Sequence, residues 1–168
     1  MNSMLTYLLS IILTSHSLPV MKPEKIMFSK LPQECVAEYD QFLRKERKAD
    51  STEVIRYDID GDGFCELLIW TGNSGSGGEE WSIMRKDSRG WHSLGKVFGL
   101  LYQADANPYR GLLVCTPCGW NQATWTFYQI KHGKFDKKIE FEIRYCKPIR
   151  KEPAEIKIIY GTNNERNE

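Results

Sequence analysis

The sequence lacks the features that typically indicate a membrane-spanning or nucleic-acid-binding protein. Its formal net charge is only +1, from 23 basic and 22 acidic side chains. No overall field therefore selects nucleic acid or an anionic membrane as a partner. Its apolar runs are all shorter than the ~20 residues that a transmembrane helix needs. The 168 residues suffice for one domain with a sizeable core, or for two small units.

Catalytic patterns are also scarce. The chain has three histidines, and none of them follows or precedes a recognisable nucleophile pattern. The Gly-rich stretch "GNSGSGGEEW" contains no G-x-S-x-G, and a strand pattern follows it where a phosphate cradle would need a helix. A spatial pair of carboxylates, as in glycosidases, is not visible in a sequence. We predict no catalytic residues and interpret the chain as a non-enzymatic protein.

Cysteine is present but does not form a metal or redox motif. The five cysteines are Cys35, Cys65, Cys115, Cys118 and Cys146. Cys115 and Cys118 form "CTPC", which ends an apolar strand pattern and does not open a helix as a thioredoxin-like site requires. No second C-x-x-C completes a zinc site. In an oxidising compartment one or two disulfides would form. The spacing of the cysteines does not determine which of them pair. A thiol oxidoreductase using Cys115 and Cys118 is a further alternative.

The N-terminus predicts export. An apolar run from Met4 to Leu13 is followed by the small residues Ser15 and Ser17, which favours a signal peptide over 1–17. No Lys or Arg precedes the run, so the alternative is a buried N-terminal strand or helix. With the signal peptide removed, the protein would be periplasmic or secreted, without a transmembrane anchor.

The segment 18–51 contains a helix pattern. Pro32 suits a first helical turn, and Leu31, Cys35 and Tyr39 fall near one face. Basic residues crowd the C-terminal end, where they complement the helix dipole. We predict a single amphipathic helix from Pro32 to Lys48.

From residue 52 onward the pattern is mainly β and partly repeats itself. "YDIDGDGFCELLIWT" aligns with "YQADANPYRGLLVCT" at an offset of 45, and "EWSIMRKDSRGW" aligns with "TWTFYQIKHGKF" at 44, placing Trp81 over Trp125. We predict two tandem four-stranded antiparallel units, 52–97 and a degenerate 98–145, then a C-terminal strand and tail over 146–168. Two units cannot close a propeller. They would form either a sandwich or one continuous curved sheet covered by the helix.

The stretch "DIDGDGFCE" predicts a metal loop. Carboxylates at positions 1, 3, 5 and 9 and a carbonyl at position 7 are hard oxygen donors, which Ca²⁺ prefers. An EF-hand would need an acidic residue at position 12, which is Ile69 here. The alternative is a polar turn held by Asx hydrogen bonds. The predicted ligands are Asp58, Asp60, Asp62, the Phe64 carbonyl and Glu66.

These residues, with the Gly-rich stretch and the W-x-I-x-R strand after them, resemble the FG-GAP/VCBS-type repeats of integrin-like propeller proteins and bacterial secreted proteins. The resemblance is specific over Tyr57–Ile69 and looser to about Val97. It implies that Ca²⁺ stiffens the unit by binding between two strands. In the second copy only one of the carboxylates remains, so that copy should not bind calcium. Its corresponding residues are Gln103, Asp105, Asn107, Pro108 and Gly111.

Together these features predict a secreted or periplasmic binding module with one structural Ca²⁺ loop and a protein partner of unknown identity. The alternative is a periplasmic inhibitor or immunity protein that covers a partner enzyme. Small size, a signal peptide and the lack of a catalytic set support that alternative only indirectly.

Overall fold

The computed structural model describes residue 6 and residues 20–106, 109–119, 121–145 and 153–161. The predicted signal peptide over 1–17 lies outside the described residues except for Thr6. Cys146 and the polar tail after residue 161 also lie outside them. No helix in the described part of the chain is both long enough and apolar enough to cross a membrane.

Within these residues nine strands form one antiparallel sheet in which each strand pairs with its neighbours in sequence. The prediction of a mainly β fold is therefore confirmed. The strands are β1 Glu24–Met27, β2 Ser51–Tyr57, β3 Glu66–Gly75, β4 Gly78–Asp87, β5 Gly90–Ala106, β6 Tyr109–Pro117, β7 Gln122–Lys131, β8 Lys134–Tyr145 and β9 Pro153–Gly161.

The long strand β5 divides the sheet into two halves. Residues 90–99 pair with β4, whereas residues 100–106 pair with β6. Gly99 stands at the change of partner, with a φ of +145°. A Cβ at this position would lie 2.5 Å from the Cys115 carbonyl oxygen, so only glycine permits this approach of the two strands.

Side chains from both halves of the sheet meet in a central core. Ile55, Leu68 and Ile83 from the first half pack in one cluster with Leu112 and Val114 from the second half, and all five are 5% exposed or less. Two halves that face each other across a shared core form a sheet that curls on itself. A second cluster, the outer core, lies on the opposite face of β6–β8; its members are Ala104, Leu113, Cys115, Ala123, Trp125, Phe127, Ile139, Phe141 and Ile143.

The predicted single helix from Pro32 to Lys48 is wrong. The structure has two short helices, α1 Gln33–Ala37 and α2 Gln41–Arg47. Asp40 caps α2 by accepting a hydrogen bond from the Leu43 backbone N–H at 2.9 Å. The Asp40 backbone N–H donates to the Thr71 carbonyl of β3 at 2.8 Å, so the sheet captures a donor that a continuous helix would have used.

The helical segment covers the outer face of the first half. Cys35 of α1 is fully buried against Val54, Leu67 and Met84 of the strands beneath it. Tyr39, between the two helices, is 2% exposed and packs edge-on against a neighbouring aromatic ring. This apolar contact anchors the segment to the sheet although neither helix is long enough to be stable alone.

Two hairpins of the sheet have the same irregularity. In β4–β5 the register shifts between Ile83 and Met84, and in β7–β8 it shifts between Phe127 and Tyr128. A β-bulge at such a point adds one unpaired residue and increases the local twist. The stretches "DSRG" and "KHGK" close these two hairpins.

Candidate metal centre

The aspartate loop joins β2 to β3, and the two residues that flank it pair with each other. Tyr57 closes β2, Glu66 opens β3, and the two residues are cross-strand partners. Between them Gly61 and Gly63 have φ values of +81° and +90°. Residues other than glycine seldom adopt this backbone conformation. The two glycines therefore allow a tight turn that directs successive carboxylates inward.

Hydrogen bonds to its own backbone hold the loop. The two carboxylate oxygens of Asp58 accept from the N–H groups of Gly61 at 2.7 Å and Gly63 at 3.1 Å. The Asp62 carboxylate accepts from the Phe64 N–H at 2.8 Å. These are the Asx bonds of a polar turn. Because each carboxylate oxygen has more than one lone pair, they leave room for further ligands.

Three of the five predicted ligands come together. Asp58, Asp60 and Glu66 each offer a carboxylate oxygen, and these oxygens all lie within 4.8 Å of one another. Asp62 is not part of this group, and the Phe64 side chain is 75% exposed. A compact set of carboxylate oxygens fits Ca²⁺, which takes oxygen ligands at about 2.3–2.6 Å in flexible geometry.

Glu66 is the most buried ligand, with 1% of its surface exposed. Desolvation is the main cause that raises the pKa of this carboxyl to about 7, and the neighbouring charge of Asp60 contributes to the rise. A hydrogen bond from the Ile59 N–H, 2.9 Å long, and the positive charge of Arg85 oppose the rise. A cation nearby favours the charged form of a carboxylate that is buried in this way.

Two arginines reach the loop, and neither was among the predicted ligands or contacts. Arg85 of β4 donates to Asp60 at 2.6 Å and also contacts Asp62 and Glu66. Arg110 of β6 donates from Nε to the Asp58 carbonyl at 3.0 Å. The sequence held a signal for the first, since Arg85 is the last residue of the W-x-I-x-R motif that follows the acidic loop. The contact of Arg110 joins the two halves of the sheet at the loop.

The corresponding part of the second copy has a different shape. Gln103 and Asp105 lie within β5, and Gly111 lies within β6. The two strands continue to pair as far as Ala106 and Tyr109, so only two residues separate the paired positions here. Asn107 and Pro108 lie outside the described residues. The one remaining carboxylate, Asp105, lies 3.4 Å from the Arg110 guanidinium.

Cys115 and Cys118 are both free thiols in the structure. Cys115 is buried, and desolvation, followed by the charge of Cys118, raises its pKa to about 12. Cys118 is exposed and donates to the Thr116 carbonyl at 3.3 Å. Thiol exchange needs the thiolate, so the environment of Cys115 opposes a redox role.

A shallow groove of about 410 Å³ lies across the middle of the sheet. Phe98, which is 38% exposed, contributes an aromatic surface, and Thr116, Thr124 and Thr126 contribute hydroxyl groups. Lys96 pairs with Glu80 at 3.5 Å at its edge. A mixed aromatic and polar lining of this kind is compatible with binding.

No protein-family model matches the chain, and neither the curated proteins nor the solved structures contain a match.

Proposed function

We propose that the chain is a non-enzymatic binding module in which the β2–β3 loop holds one Ca²⁺ with a structural role. The observation that carries this proposal is the convergence of Asp58, Asp60 and Glu66, whose oxygens lie within 4.8 Å of one another. Asp62 and the Phe64 carbonyl would complete the ligand set after a local adjustment of the loop.

The position of the loop favours a structural role. Glu66 is almost fully buried, and Arg110 ties the Asp58 carbonyl to the second half of the sheet. Tyr57, at the base of the loop, donates to the Gly111 carbonyl at 3.1 Å. Calcium at this point would neutralise charge where the two halves meet, and would stabilise their packing.

We also propose that the two halves arose by duplication, as the units 52–97 and 98–145. Trp81 pairs with Val97, and adding 44 to both numbers leads to Trp125 and Phe141, which also pair. The same shift carries the bulge of the first hairpin onto that of the second. The shared register and the shared irregularity support duplication over a chance similarity of β patterns.

The way the units pack supports stacked, blade-like repeats. Trp81 lies in the central core, whereas Trp125 lies in the outer core. If the two tryptophans are equivalent, one face of the first unit packs on the opposite face of the second unit. Neighbouring blades of a propeller pack in this head-to-tail manner, and here the helical segment covers the free face of the first unit.

The groove beside Phe98 is the surface we assign to a protein partner, and export to the periplasm or medium stays part of the proposal. The alternative, an inhibitor or immunity protein, would use the same fold. It is favoured if a pull-down with this protein from an envelope extract recovers an enzyme whose activity the protein suppresses. The thiol oxidoreductase alternative has the least support because Cys115 is buried with a raised pKa.

Thermal melting with calcium or with EDTA tests the structural role. A ligand that binds only the native state stabilises it by about 2.7 kcal/mol at a hundredfold excess over Kd. We expect a calcium-dependent rise in the melting midpoint for the wild type and for Asp105→Ala, and none for Asp60→Ala. The proposal fails if EDTA leaves the midpoint of calcium-loaded wild type unchanged.

A further inference from the structure

Each carboxylate oxygen of the loop already has a hydrogen-bond or ion-pair partner within the chain. Asp58, Asp60, Asp62 and Glu66 have two oxygens each. Five backbone N–H groups, those of Ile59, Gly61, Asp62, Gly63 and Phe64, each contact one oxygen. The other three oxygens all face Arg85. Arg85 is therefore the partner of each carboxylate oxygen that the backbone N–H groups do not contact.

The geometry of Arg85 is that of a cation placed among its ligands. Nη1 lies 2.6 Å from Asp60 and 3.2 Å from Glu66, and Nη2 contacts Asp62. The side chain is 19% exposed, so much of its charge is shielded from water. A planar guanidinium that bridges carboxylates makes stronger and more directional contacts than a lysine ammonium would.

Arg85 and the proposed metal share ligands. Asp60 and Glu66 belong both to the group that converges for a cation and to the set that contacts Arg85. A calcium ion bound to these carboxylates would stand within a few ångströms of the guanidinium, where two positive charges repel each other strongly in a partly buried site. Both cations cannot keep their full set of contacts.

We propose that Arg85 is an internal counter-cation of the loop, which holds the carboxylates together without metal and lowers the affinity for Ca²⁺ because the guanidinium must withdraw when calcium binds. This inference rests on the proposed calcium loop. It predicts a protein that stays folded without calcium and responds to calcium only at concentrations set by this competition.

Calorimetric titration of the full chain with CaCl₂ tests the inference on wild type, Arg85→Met and Lys86→Met. Lys86 is the exposed neighbour on the same strand, so its variant has the same loss of charge away from the loop. We expect Arg85→Met to bind Ca²⁺ roughly tenfold more tightly or better, a change of about 1.4 kcal/mol for each factor of ten. Lys86→Met should resemble the wild type.

The outcomes separate this inference from the proposed function. If wild type binds calcium and Arg85→Met binds it equally or more weakly, the competition is refuted and the calcium loop stands. If only Arg85→Met binds, the competition is supported and calcium is not a wild-type ligand at that concentration. If neither binds while both melt cooperatively, both ideas fail.

A measurement on the wild type covers the case in which Arg85→Met does not fold. In nitrogen-edited NMR spectra the Arg85 Nε–H resonance, assigned from its loss in Arg85→Lys, should shift on addition of CaCl₂ as the ion pairs break. A calcium-loaded protein in which this resonance does not move would overturn the inference.

Discussion

Replacing Tyr57 by phenylalanine should weaken the joint between the two halves of the sheet. The Tyr57 hydroxyl faces the Gly111 carbonyl at 3.1 Å and the Ala104 carbonyl at 3.4 Å, and the side chain is 4% exposed. Ala104 and Gly111 are cross-strand partners in β5 and β6. The substitution keeps the ring and its packing but leaves buried carbonyl groups without this donor, at a cost of about 1–3 kcal/mol.

Urea unfolding at neutral pH in EDTA would measure this cost without any contribution from calcium. We expect a lower midpoint with an unchanged m-value, and a melting temperature lower by about 2–4 °C for each kcal/mol lost in a chain of this size. Tyr128→Phe is the matched control, since Tyr128 is half-buried beside the same core and stacks on Phe135 at 4.8 Å. A Tyr57→Phe protein as stable as the wild type, or no less stable than the control, would refute the role of the hydroxyl as a link.

Three further results are expected. Gly111→Ala should lower the free energy of unfolding by about 3 kcal/mol or more, because a Cβ there would lie 2.2 Å from the Tyr128 carbonyl oxygen. Gly75→Ala should be tolerated, and equal urea midpoints for the two variants would contradict this expectation. Iodoacetamide at pH 8 should label Cys118 much faster than the buried Cys115, whose pKa is raised to about 12. Equal labelling rates by mass spectrometry would contradict the claim that burial suppresses the Cys115 thiolate. Asp40→Ala should destabilise the protein by about 1 kcal/mol through loss of the α2 cap, and an unchanged denaturation midpoint would show that the cap contributes nothing.

Local pattern predicted the β elements well because strands and hairpin turns depend on alternation and on turn residues that are close in sequence. The Asp58–Glu66 loop was predicted for the same reason, since its ligands are spaced within nine residues. The helix prediction failed at Asp40, where the backbone N–H bonds to Thr71 of β3. That bond joins residues far apart in sequence, and periodicity holds no information about it.

The charges that complete the site could not be predicted in the same way. Arg85 reaches the loop from β4 and Arg110 reaches it from β6, so both contacts depend on how the sheet curls. The spacing of the four carboxylates predicted a bound cation, and calcium was the only cation expected. The structure shows that the chain supplies positive charge of its own, which makes the role of calcium a quantitative question of competing affinities.

The most direct test of the account is the calcium content of the protein at saturation. Equilibrium dialysis of wild type against buffered CaCl₂, followed by elemental analysis, should yield one calcium ion per chain. Asp60→Ala should yield none, and Asp105→Ala should retain the wild-type value, because within the described residues the converging carboxylates lie at the first loop and do not include Asp105. Wild-type protein without calcium, or an Asp60→Ala protein with as much calcium as the wild type, would contradict a calcium site in this loop.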